Sequence, residues 1–197
     1  MNIDRRTFLN TSVAGALVAP SIAHAAFASG TERLGVGVIG CGGRGTGAAF
    51  NAVAASSDVD IVALGDVYRD RLNGSRGHMQ KLENRLKVTD GDCFTGWDAY
   101  QQVIAHPEVN LVILATPPHF RPMHFHHAVA NGKHVFMEKP VAVDPAGVRK
   151  VIAAAAVADA KNLSVVAGTQ RRHEDCYLET MRRIRDGEIG EPVSATC

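Results

Sequence analysis

Residues 40–45, Gly-Cys-Gly-Gly-Arg-Gly, constrain the fold of this chain more than any other six. They follow the apolar run Leu34-Gly35-Val36-Gly37-Val38-Ile39 and precede a helix-like stretch over 44–55, so their G-x-G-x-x-G spacing falls at a strand-to-helix turn. Each glycine then has its own task. Gly40 permits the tight turn, Gly42 lets backbone approach a pyrophosphate, and Gly45 allows the helix to pack closely on the strand. The opening helix offers unpaired N–H groups and its positive dipole end to phosphate. Cys41, Gly43 and Arg44 complete the turn and are counted with it as cofactor contacts. Cys41 reads as a small side chain filling space rather than as a reactive thiol.

Beyond this turn, short apolar runs alternate with longer amphipathic ones. The runs at 34–39, 61–65, 111–115, 134–137 and 163–167 are rich in Val, Ile and Leu on both faces, as in strands of a parallel sheet covered by helices. Residues 89–94 offer few apolar side chains and predict a short third strand at an edge. Crossover helices are expected over 44–55, 68–86, 97–104, 122–131 and 144–160. Gly132 marks one helix end, and Asp144-Pro145 places a cap ahead of a first-turn proline. The pattern predicts an α/β fold, a Rossmann doubly wound parallel sheet over 33–170. A helix over 175–185 and a strand opening at 192–197 are expected to begin a second α/β domain, truncated here to 171–197.

Asp66 lies twenty-one residues after Gly45, at the end of the second apolar run. A carboxylate in that place accepts hydrogen bonds from both hydroxyls of an adenosine ribose and repels a 2′-phosphate, which favours NAD over NADP. NADP stays open because Arg69, three residues on, can pair with a 2′-phosphate if it turns inward.

Two further segments draw attention, Ala115-Thr116-Pro117-Pro118-His119 and Gly132-Lys133-His134-Val135-Phe136-Met137-Glu138-Lys139-Pro140. Ligands of open parallel sheets bind outside the carboxyl ends of the strands, and both segments are expected there. A lysine held at that edge can hydrogen-bond a substrate hydroxyl and stabilise alkoxide character as hydride leaves. The plainer alternative is a surface salt bridge between Glu138 and Lys139.

Together, the glycine turn, Thr116-Pro117, Gly-Lys-His-Val at 132–135 and Glu138-Lys139-Pro140 resemble the glucose–fructose oxidoreductase and inositol dehydrogenase family (Gfo/Idh/MocA), over about residues 33–197. The resemblance implies an NAD(P)-dependent oxidoreductase acting on a sugar or polyol hydroxyl. It implies Lys139 as the catalytic lysine, Glu138 beside the nicotinamide ribose, and Thr116, Pro117 and His119 along the cofactor crevice. Gln170 and Arg171 are candidates for its rim. The family's second domain, which supplies a histidine or other acid/base, has only its start in these residues. Two other readings therefore stand beside the first: a member that cleaves or eliminates glycosides using NAD, and a dinucleotide-binding fragment without turnover.

His119, His124, His126 and His127 cluster in sequence, yet no Asp, Glu or Cys lies within their segment to complete a metal site, so no metal is expected. With 21 Lys and Arg against 20 Asp and Glu, no global field favours nucleic acid. The first 25 residues read as a signal peptide: Arg5-Arg6 with Phe8-Leu9 resembles a twin-arginine motif, an apolar stretch follows, and Ala23-His24-Ala25 supplies a cleavage site. The expectation is an exported, periplasmic protein with no membrane attachment after cleavage, homo-oligomeric at full length.

Overall fold

Apolar on both faces, β1 (Leu34–Ile39) can be satisfied only inside a covered sheet, and it lies third in a six-stranded parallel sheet of order β3-β2-β1-β4-β5-β6. The structure is a computed structural model and describes residues 33–196. The other strands are β2 (Val59–Asp66), β3 (Cys93–Thr95), β4 (Leu111–Leu114), β5 (His134–Glu138) and β6 (Val165–Gly168). The helices are α1 (Gly43–Ala55), α2 (Arg69–Met79), α3 (Ala99–Ala105), α4 (Arg121–Ala130), α5 (Pro145–Ala160) and α6 (Asp175–Arg185). This is the expected doubly wound Rossmann sheet. Its order reverses between β1 and β4, which leaves a crevice at their carboxyl ends.

Each face of the sheet has its own core. Val36, Val38, Ile61, Leu64 and Ile113 meet Ala48 and Ala49 of α1 and Leu72 of α2. On the opposite face Ile39, Val112, Leu114, Val135 and Met137 meet Val103, Phe125 and Ala154, from α3, α4 and α5. Ile61 and Leu64 share a face although three residues apart, because Val36 pairs with Ile61 while Gly37 pairs with Ala63. That irregularity restores the alternation one residue late. Full burial of a side chain such as Phe125 or Leu64 stabilises the fold by about 1.5–3 kcal/mol.

Three expectations are corrected. The segment 68–86 is not one helix: α2 ends at Met79, and a 3₁₀ turn, Gln80–Arg85, follows with a break at Glu83, whose φ is 51°. Gly74 and Gly77 weaken the helix, and the chain is drawn back to the sheet, where Leu86 pairs beside Ile61 and the Lys87 N–H donates to the Ile61 carbonyl at 2.8 Å. Buried Asp60 anchors this return, accepting from Arg33 Nη2 at 2.6 Å and from Arg85 Nε at 2.8 Å. The third strand is short and at the edge as expected, but starts only at Cys93. Thr89 instead gives both its N–H and its hydroxyl to Asp92 Oδ2, at 2.8 and 2.6 Å, closing a turn. Residues 192–196 form no strand: none of the described residues pairs with them in a ladder, and Val193 is 95% exposed.

The helix expected over 175–185 forms as α6, with no buried residue and with Glu179 paired to Arg182 and Arg183. Gly132 takes φ 72° after α4, and Asp144 caps α5 by accepting from the Gly147 N–H at 2.5 Å. No helix of the described residues is long and apolar enough to cross a membrane. The leader read over 1–25 lies outside the described residues.

A Cβ added at Gly45 would stand 1.9 Å from the Gly40 carbonyl oxygen, so α1 touches the end of β1 through a hydrogen atom alone. Gly45→Ala is expected to lower the unfolding free energy by about 1–3 kcal/mol through overpacking, read from urea denaturation. An unchanged midpoint would mean that the helix can withdraw without cost.

Candidate functional site

At the carboxyl end of β1 the chain turns through Gly40, whose φ of 96° suits glycine, and an added Cβ there would meet the Thr116 nitrogen at 2.7 Å. Gly42 and Gly43 differ: nothing lies within 4 Å of an added Cβ at either. The turn is therefore packed tightly on its sheet side and open on the other. No side chain caps α1 and no acid stands in its first turn, which leaves the first N–H groups free for an anion. An open glycine surface over a bare helix N-terminus fits the pyrophosphate of a dinucleotide.

Asp66, at the end of β2, is tied into this turn. Its Oδ2 accepts from the Cys41 N–H at 2.7 Å and its Oδ1 from the Tyr68 N–H at 2.9 Å. Each oxygen keeps a second lone pair for a ligand hydroxyl. Cys41 is 3% exposed, its thiol donates to the Gly65 carbonyl at 3.5 Å, and burial, with the charge of Asp66, pushes its pKa up to about 12. Arg69 turns to Thr95 Oγ1 at 2.8 Å, whereas Arg71 lies over the Tyr68 ring at 5.5 Å.

A cavity of about 500 Å³ opens beside Asp66, bounded by the glycine turn, Tyr68, Trp97, Thr116, Pro117, Phe120 and His124. Trp97 and Phe120 stand 5.7 Å apart, and His124 stacks on Tyr100 at 4.2 Å with Nδ1 3.2 Å from Thr116 Oγ1. Burial, reinforced by the charges of His127 and Arg121, lowers the His124 pKa to about 4, so its ring is a neutral wall. His119, expected on this wall, is exposed and packs edge-on against Phe120 at 5.3 Å; Phe120 and His124 line the cavity instead. The hydrophobic anchor residues of α4 turn the segment so that His124 faces inward. No three His, Cys, Asp or Glu side chains come together as a metal site among the described residues.

The second motif divides between two ends of β5. Gly132, Lys133 and His134 sit at its amino end, where Lys133 Nζ donates to the Val109 carbonyl at 2.6 Å, so only Glu138-Lys139-Pro140 reaches the crevice side. Glu138 does not pair with Lys139. It is 6% exposed, and its Oε1 accepts from Arg44 Nε of the glycine turn at 2.6 Å. Lys139 is exposed and lines a separate cleft of about 530 Å³ with Gly168, Thr169, Gln170, Arg171 and Arg172.

Sequence reasoning missed Arg121 altogether. It is 3% exposed and donates to the carbonyls of Thr116 (2.5 Å) and Pro140, joining the loops after β4 and β5, while its Nε has no partner. Burial lowers its pKa, opposed by the charge of Glu138. Its one available signal was the following Pro122, which marks a helix start and hence an arginine at the crevice edge.

Fold and site thus define a Rossmann-type unit shaped for a dinucleotide. The family described as an oxidoreductase family with an NAD-binding Rossmann fold (Gfo/Idh/MocA) matches residues 34–167, and the chain belongs to it. An inositol 2-dehydrogenase of Burkholderia lata is 29% identical over 164 residues, 83% of this chain and 45% of that protein. A scyllo-inositol 2-dehydrogenase (NAD(+)) of Bacillus subtilis is 27% identical over 158 residues, 79% of this chain and 41% of that one. The crystal structure of scyllo-inositol dehydrogenase from Lactobacillus casei with bound NAD(H) and scyllo-inositol superposes with a TM-score of 0.63 at 23% identity, covering 81% of this chain and 43% of that one. The chain spans less than half the length of these relatives.

Because the folded pKa of His124 lies near 4 against 6.5 for the free group, the unfolded chain takes up its proton first as pH falls. This contribution to stability is complete above pH 6.5 and is lost as pH drops through about 4, on the order of 2–3 kcal/mol in all. His124→Phe is expected to flatten the pH dependence of the urea midpoint over that window. A slope unchanged by the substitution would assign the effect to other groups.

Proposed function

We propose that the whole protein is an NAD-dependent oxidoreductase that moves hydride between a polyol or sugar hydroxyl and nicotinamide. The observation that carries this reading is the placement, along one carboxyl edge of the sheet, of an open glycine turn, the Asp66 carboxylate, and an exposed Lys139 beside the buried Glu138. The names of the relatives, inositol and scyllo-inositol dehydrogenases, support a polyol as the substrate class.

Bound NAD supplies the hydride acceptor. The N–H groups at the start of α1 hold its pyrophosphate, and the spare lone pairs of Asp66 accept the hydroxyls of the adenosine ribose. Glu138 offers Oε2 to the second ribose, since Oε1 is engaged by Arg44. The Lys139 ammonium donates to the reacting hydroxyl oxygen and stabilises the negative charge left there as a general base from outside the described residues takes the hydroxyl proton and the C–H bond gives hydride to nicotinamide, a contribution worth about 10²–10⁴-fold. Lys139→Met in the full-length protein is expected to lower kcat at least a hundredfold on an active polyol while NADH, followed by its fluorescence, still binds. Retained turnover would remove Lys139 from the chemistry, and absent NADH binding in the parent protein would overturn the reading itself.

Export by the twin-arginine route completes the proposal. It is supported by the order of Arg5-Arg6, apolar stretch and Ala23-His24-Ala25. In a bacterial host with that route, the protein is expected in the periplasm with its amino terminus at Ala26. Replacing both arginines with lysine should hold it in the cytoplasm, and unaltered export would refute this route.

A further inference from the structure

The G-x-G-x-x-G pattern counts Arg44 with the cofactor-binding turn but gives separate tasks only to Gly40, Gly42 and Gly45, yet Arg44 makes the longest-range side-chain ion pair among the described residues, reaching Glu138 ninety-four positions away. Among the described residues, Arg44 is the only donor to the Glu138 carboxylate. Arg121, whose charge interacts with that of Glu138, has both Nη atoms on the carbonyls of Thr116 and Pro140. Glu138 is buried against Gly168, where an added Cβ would stand 3.0 Å from Oε1, so the carboxylate has little room to find another partner. Its Oε2 takes no hydrogen bond from the described residues and is not sealed from solvent.

Sheet order gives the pair its direction. Arg44 starts over β1 and Glu138 ends β5, with β4 between them, so the pair crosses the sector between the glycine turn and Lys139. The cavity beside Asp66 takes the adenosine half of a dinucleotide, which leaves this sector for the other half. We propose that Arg44 is a positioning residue that holds the Glu138 carboxylate oriented so that its free oxygen accepts the hydroxyls of the cofactor's second ribose. The proposal rests on the dinucleotide reading above. It adds that the two halves of the cofactor are held by separable devices, Asp66 for one and the Arg44–Glu138 pair for the other. Without Arg44 the carboxylate is buried and unpaired, a costly state that favours its displacement and loses the acceptor geometry.

The test uses full-length protein and three probes, ADP, ADP-ribose and NADH, titrated calorimetrically. ADP lacks the second ribose, ADP-ribose adds it, and NADH adds the nicotinamide. Arg44→Ala is expected to weaken ADP-ribose and NADH alike by about tenfold or more, as for loss of a charged hydrogen bond, with ADP changed by no more than about twofold. Arg44→Lys should restore part of the loss, and Glu138→Gln should reproduce it. The double variant Arg44→Ala/Glu138→Gln should be no weaker than either single change. An equal loss for all three probes would mean damage to the glycine turn, a loss for NADH alone would move the effect to the nicotinamide, and no loss or an additive double variant would remove the coupling. Each of these overturns the proposal while leaving dinucleotide binding intact. If the parent protein binds none of the probes, the underlying reading falls with it. Should Arg44→Ala not fold, Arg44→Lys and Glu138→Gln carry the same comparison.

Discussion

The approach of α1 to β1 decides most of what surrounds the crevice. With Gly45 seated on the Gly40 carbonyl, the helix starts in direct contact with the end of the strand instead of standing off by a side chain. That nearness aims the first helical N–H groups over the sheet edge. It also brings the Cys41 N–H onto Asp66, and it sets Arg44 where its side chain can cross to β5. A methyl group inserted between helix and strand would disturb all three at once, because interiors packed at crystal-like density pass on small displacements.

The charges along the edge follow from this geometry. Donors without partners occupy the middle of the crevice, at the start of α1, and a carboxylate stands at either side, Asp66 toward β2 and Glu138 toward β5. Each carboxylate is anchored through the glycine turn, one by a backbone N–H and the other by a guanidinium, and each retains acceptor capacity. Acceptors outside and donors inside complement a molecule with hydroxyls at its two ends and anionic groups between them.

The parts of this arrangement that were legible in the sequence are local. Two-sided apolar runs announced the parallel strands, the glycine spacing announced the turn, and Asp66 was readable because its place depends only on the end of the next strand. The interruption after Met79 was not readable, since it depends on where the edge of the sheet accepts Leu86. His119 was chosen over Phe120 and His124 because motif position does not say which way the first turn of α4 faces. The pairing of Arg44 with Glu138 was invisible for a stronger reason: it exists only once β4 has been inserted between β1 and β5. Arg121 stood just ahead of the helix expected over 122–131 and drew no reading, because nothing in its neighbours states that it is buried.

Arg121 also bears on how the crevice can open. A desolvated guanidinium shared between the carbonyls of Thr116 and Pro140 couples the two loops mechanically, because moving either one strands a buried cation at a cost of several kcal/mol. The loops after β4 and β5 therefore behave as one wall. The side held by Asp66, Tyr68 and Trp97 is tied only at the surface, through Arg69 on Thr95 and the Gly96 N–H on the Asp66 carbonyl, and Tyr68 and Trp97 are more than half exposed. The two flanks of the crevice are thus held in different ways, the wall bearing Lys139 by a buried cation and the aromatic side by contacts open to solvent.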